Sequence, residues 1–200
     1  LASVFARYPY PESFLAWRAG PPGSSMVVYH RSDRPPPWDP PRTGGLLFPV
    51  FASAPPERSR AVFDRLRADA RRHRTISIFE ATLGDVPSQV VARLFYRDTL
   101  GESVAGIVGY TVNLPWVREH YFADVASQVS RVTGARPFAI VDVRGQPLAG
   151  TRGPAGGRRA ISRTLPVMFF DPSLVSLDAP ADLSRETLTV EVDPGRDETL

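Results

Sequence analysis

This 200-residue chain has no cysteine and no lysine, and its only asparagine is Asn113. Without cysteine there are no disulfides, no thiolate metal sites and no cysteine nucleophile, and either cytoplasm or periplasm suits the chain. Without lysine there is no phosphate-binding P-loop and no Schiff-base residue. No apolar run approaches the roughly 20 residues that a membrane-spanning helix needs. No signal peptide is visible at the start. Neither G-x-S-x-G nor H-E-x-x-H occurs, and the three histidines, His30, His73 and His120, are far apart along the chain.

What is present is a balanced, apolar-rich composition. The apolar fraction is 42%, enough for one large domain or two small ones. All 24 basic residues are arginine, set against 21 acidic residues for a net charge of +3. The two signs are interspersed along most of the chain, whereas a nucleic-acid binder more often gathers its positive charge on one element. No nucleic-acid partner is expected.

Along the chain, Leu1 to Arg7 reads as a short helix, and Pro9 and Pro11 separate it from an extended SFLAWR. Met26 to His30 is a short strand. Arg34 to Arg42, RPPPWDPPR, is loop or polyproline II with Trp38 in need of an apolar seat. Leu46 to Phe51 is extended, and Ser53 is a candidate N-cap for a helix from Glu57 to about His73 with Val62, Phe63, Leu66 and Ala70 on one face. Thr75 to Leu83 and Gln89 to Tyr96 bracket a turn at Gly84-Asp85 and form a hairpin.

The next stretch organises the rest. Ser103 to Val112 is a strand, and Asn113 and Pro115 open a helix whose apolar stripe is Val117, Tyr121, Val125, Val129 and Val132, closing at Gly134. A second hairpin, Phe138 to Val143 and Pro147 to Thr151, turns at Arg144-Gly145. After the glycine-rich Gly150 to Gly157, Arg159 to Phe170 is a strand with a bulge at Pro166, and Glu186 to Val192 alternates as a last strand. Helix, hairpin and strand thus occur twice.

Few residues point to chemistry. Arg71-Arg72-His73-Arg74 either binds an anion or complements a helix dipole, and the dipole is the simpler account. His120 beside Glu119 has no further ligand at helical spacing and reads as a polar helix face. No catalytic residue, metal ligand or cofactor site is expected. Tyr110, Trp116, Arg118 and Tyr121 lie at a strand end and in the first helical turns, where backbone N–H groups and a guanidinium can face an anionic ligand. They form either a small-molecule site or, for Trp116 and Tyr121, core packing under the sheet.

VAGIVGYTVNLPWVREHYF followed by RPFAIVDVRGQPLAGT resembles the Cache type of PAS-like sensory module in bacterial receptors. Gly106, Gly109 and Leu114 match its strand motif, and Asp142 and Gly145 match its D-x-x-G hairpin turn. The resemblance covers about a quarter of the chain. The expected long N-terminal helix is reduced to Leu1 to Arg7, and the insertion at 34–42 has no counterpart.

The resemblance implies an α+β fold, a PAS/Cache-like antiparallel sheet flanked by helices. One domain over 1–200 is expected, with two similar α-βββ halves at 46–112 and 113–193. It also implies a non-enzymatic, ligand-sensing input domain of a two-component sensor histidine kinase. Such a domain is the periplasmic part of an inner-membrane protein, tethered by flanking spans outside this chain and paired as a homodimer. The alternatives are a cytoplasmic PAS- or GAF-like dimerisation module and a small hydrolase built from residues such as Glu119, His120 and Asp142.

Overall fold

The computed structural model describes residues 1–20, 26–31, 34–35, 50–53, 56–98, 103–133, 136–152, 161–170 and 187–192. Trp38, Gly134 and most of the two segments 34–42 and 150–157 lie outside them. The fold is α+β with two sheets, each antiparallel throughout. The chain separates into two compact units, Leu1–Leu114 with Phe169 and Phe170, and Pro115–Met168 with strand Thr187–Val192.

In the first unit a short helix, α1 (Ala2–Arg7), precedes β1 (Pro11–Arg18), β2 (Val27–His30) and β3 (Val50–Ser53). Helix α2 (Pro56–Ala70) crosses to the opposite edge, and β4 (Ile76–Leu83), β5 (Val86–Tyr96) and β6 (Val104–Asn113) return as a meander. The order β3-β2-β1-β6-β5-β4 makes β1 and β6 central neighbours. Gly84 takes φ 61°, the left-handed geometry that a two-residue hairpin loop asks of its first residue. The prolines at 9 and 11 do end α1, and two arginines hold the connector. Arg31 donates to the carbonyls of Phe5, Tyr8 and Pro11, and Arg34 to that of Pro9 at 2.7 Å.

Strand alternation divides this sheet into two faces. Leu15, Val28, Phe79, Val90, Ala92, Leu94 and Ile107 pack with Val62, Leu66 and Ala70 of α2 into one core. Leu66 is fully buried, a contribution of about 2 kcal/mol from its side chain alone. Gly109 lies on β6 where a Cβ would come within 2.4 Å of the Val91 carbonyl oxygen, so only glycine lets β5 and β6 approach there.

The ends of α2 differ from expectation. Ser53 is the last residue of β3 and α2 begins at Pro56, and the side chain of Ser53, expected as its N-cap, lies outside the described residues. The C-terminus closes at Ala70, where the Arg74 amide reaches the Asp69 carbonyl at 3.2 Å and the His73 amide reaches that of Ala70 at 2.9 Å. This is a Schellman cap, with His73 at φ 56° in the position usually given to glycine. The basic run beyond the helix has a local purpose. Arg72 and Arg74 stand 3.9 and 3.4 Å from the fully buried Asp69 carboxylate, which also accepts from Ser77 and Arg65.

In the second unit, a short turn, α3 (Leu114–Trp116, whose first residue belongs to the first unit), leads into a π-helical turn at Val117–Tyr121 and then α4 (Phe122–Thr133). The π turn inserts one residue into the helical count. The buried positions are therefore Val117, Phe122 and Ala126, while Tyr121 and Val125 are half-buried and Val132 is 87% exposed. The expected stripe is displaced by one residue because i+5 replaces i+4 in a single turn.

Helix α4 packs against β7 (Phe138–Val141) and β8 (Pro147–Gly150). Asp142 Oδ1 accepts from the Arg144 and Gln146 amides, both at 2.8 Å, and Gly145 at φ 74° completes the turn. The sheet order is β8-β7-β10-β9, with β9 at Ile161–Pro166 and β10 at Thr187–Val192. Pro166 ends β9 opposite Thr187, with no register shift there. The helix–hairpin–strand order thus recurs, with a different arrangement each time. β6 pairs with the preceding hairpin strand β5, whereas among the described residues β9 pairs with β10 and not with β8.

Candidate functional site

The face of the first sheet opposite α2 is built from ranks of residues that the strand registers place side by side. One rank runs Tyr29, Phe14, Tyr110, Val91, Ile78 across β2, β1, β6, β5 and β4. The next runs Val27, Ala16, Val108, Arg93, Ile76. Two residues along a strand advance about 7 Å, so the two ranks form a patch several side chains wide. A cavity of about 350 Å³ opens on it, lined by Phe14, Tyr29, Ile78, Val91, Arg93 and Tyr110, with Phe170 among its other walls. That volume lies at the small end of the range for ligand pockets, roughly 300–1,000 Å³.

An aromatic wall forms beside the cavity. Phe5 of α1 is buried and meets Phe14 edge-on at 4.8 Å, and Phe14 lies 6.0 Å from Tyr110. Tyr10 lies 6.3 Å from Tyr110 and 5.4 Å from Phe169. The Tyr110 hydroxyl donates to the Phe169 carbonyl, and the Phe169 amide donates to Oε1 of the buried Gln89 at 3.2 Å. These two bonds fix the segment carrying Phe170 to the sheet. Burial, reinforced by Tyr10, raises the Tyr110 phenol above the ordinary tyrosine range, so it stays protonated and donating.

Of the four residues expected to form a binding site, Tyr110 lines this cavity. Trp116, Arg118 and Tyr121 belong to the second unit, on α3 and the π turn. There Trp116 stacks on His120 with ring centroids 5.3 Å apart and planes within 3°, and His120 Nδ1 lies 3.3 Å from the Trp116 carbonyl. Among the described residues no three His, Asp or Glu side chains gather as a metal-ligand set. Asp142, weighed above with Glu119 and His120 as an acid/base group, has Oδ1 committed to two turn amides.

Sequence reasoning missed Phe14, Tyr29, Val91 and Arg93. The signal was available in part, since the period-2 alternation of β1, β2 and β5 assigns these residues to the face opposite the core. No protein-family model matches the chain, and no curated protein is significantly similar to it.

Proposed function

We propose that this chain is a ligand-sensing input module, PAS/Cache-like in fold, serving a membrane-tethered bacterial sensor histidine kinase from the periplasmic side. The cavity beside Tyr110 carries the reading. It is a largely apolar concavity with a few polar groups, set on a sheet whose other face is closed by α2. The resemblance of the stretch from Val104 to Thr151 to Cache modules supplies the receptor context, and the antiparallel sheet with a helical crossover is compatible with it.

In this reading the module signals without chemistry of its own. A ligand shifts a receptor only as far as it binds one conformation better than the other. Strand β10, which lies between β7 and β9 in its sheet, is the candidate element for passing that shift on.

A thermal-shift screen of small organic acids and amino acids tests the reading, since a ligand specific to the folded state raises the melting temperature. At least one compound should stabilise the wild type, and Val91→Trp, which fills the cavity, should abolish that shift. No stabilising compound, or an undiminished shift in the filled variant, refutes the cavity as the sensing site. Arg118→Ala and Trp116→Ala test the helix start separately. Unchanged ligand affinity with Arg118→Ala, or loss of folding with Trp116→Ala, removes those residues from the site.

The open sheet face also favours a second reading, self-association, because Val108 and Phe95 on it are 47% and 43% exposed. Sedimentation of the chain with and without Val108→Asp decides it. A dimer dissociated by the charge supports pairing through this face, and a monomer in both samples excludes it.

A further inference from the structure

The lining of the cavity selects among ligand classes. Among the described residues that line it, Arg93 is the one side chain with a full charge, and there is no aspartate or glutamate. Arg93 is exposed on β5, one rank away from the Tyr110–Val91 pair, with its guanidinium 5.4 Å over the Phe95 ring. Among the described residues no carboxylate pairs with it. The Tyr110 hydroxyl is committed to the Phe169 carbonyl, and Arg93 is the charged side chain at the side of a lining that is otherwise mostly hydrocarbon.

We propose that the cavity binds an amphipathic monocarboxylate, a compact aliphatic or aryl-substituted organic acid, with its hydrocarbon on Phe14, Tyr110, Val91 and Ile78 and its carboxylate on Arg93. This rests on the cavity being the sensing site. Apolar contact with this rank contributes by area removed from water. A guanidinium fork matches a carboxylate in two parallel hydrogen bonds and, already resting on an aromatic ring, loses little freedom in doing so. A ligand carrying an ammonium group, such as an amino acid, finds no counter-charge among the described lining residues, and desolvating that group is costly.

Isothermal titration of the whole chain with four probes of matched chain length tests the assignment: octanoate, octanol, octylamine and 2-aminooctanoate. Octanoate should bind at least tenfold more tightly than octanol, with the advantage shrinking as salt is raised, and octylamine and 2-aminooctanoate should bind more weakly than octanol. Arg93→Gln, an exposed position whose folding is checked by circular dichroism, should reduce octanoate to the affinity of octanol and leave octanol unchanged. Equal binding of octanoate and octanol, or unchanged octanoate affinity in Arg93→Gln, overturns the carboxylate assignment while leaving a ligand cavity in place. If no hydrocarbon probe binds but another compound gives a thermal shift that Val91→Trp abolishes, the ligand class is wrong and the sensing site stands. If nothing binds in either experiment, both fall.

Discussion

The side-chain amide of Asn113, at the end of β6, donates to Glu12 Oε1 at 2.8 Å and ties the edge of a β-bulge in β1 to its neighbour. Glu12 is only 3% exposed, and among the described residues its other oxygen, Oε2, has no hydrogen-bond partner. Burial is the main influence on its carboxyl and raises its pKa above the usual range; the Asn113 bond and the charges of Arg34 and His30 only partly oppose this. Because the folded-state pKa is raised, the stability that protonated Glu12 contributes is fully present below its unfolded pKa and is lost as pH rises through the folded value. Glu12→Gln, which keeps an acceptor for Asn113 and removes the charge, should stabilise the fold at pH 7 by about 1 kcal/mol. Its advantage should vanish below the unfolded pKa. Thermal melts of both proteins across pH check this, and an equal gain at every pH would show that ionisation is not the cause.

Gly109→Ala should be among the most damaging single substitutions in the chain. The added methyl meets the Val91 carbonyl oxygen and the Ala92 backbone, neither of which can swing aside as a side-chain tip can. Forced overpacking of this kind costs about 3 kcal/mol. Urea unfolding measures it, and Gly20→Ala, whose nearest contact is at 3.9 Å, is the comparison expected to change little.

The π turn predicts which face of the helix matters. Phe122→Ala should destabilise by about 3 kcal/mol, since it empties a buried aromatic position. Val132→Ala, at a site 87% exposed, should fall within about 0.5 kcal/mol of wild type. Chemical denaturation of the two variants distinguishes the observed register from an uninterrupted α-helix, in which Val132 would be the buried residue.

His73→Gly should stabilise the protein by about 1 kcal/mol. The residue holds φ 56° at the end of α2, and the left-handed conformation costs a residue with a Cβ roughly 1–2 kcal/mol that glycine does not bear. The Schellman hydrogen bonds are made by backbone groups and survive the change. A raised melting temperature is the expected readout.

The elements themselves were largely legible. Pro9 and Pro11 mark the break before β1, Gly84-Asp85 marks the hairpin, and the alternation in β4, β5 and β10 marks their strands, because each signal is carried by residues a few positions apart. The helix after Asn113 was legible in existence and not in register. Val117, Tyr121 and Val125 make as good a stripe at i+4 as Val117, Phe122 and Ala126 make across a π turn, and only packing against β7 and β8 selects between them.

The site divides in the same way. The amino-acid order by itself determined that this chain is α+β, that it has no lysine or cysteine chemistry, and that Tyr110 stands at a junction worth attention. Tertiary structure alone decided that Tyr110 has Phe14, Tyr29, Val91 and Ile78 in its rank and Arg93 in the next, because that set is assembled by four strand registers. It also decided that Glu12 would meet Asn113, 101 positions away. Local patterns report which face of a strand a residue occupies. Which residues lie beside it on that face depends on pairing between distant segments, and no short stretch of sequence contains that information.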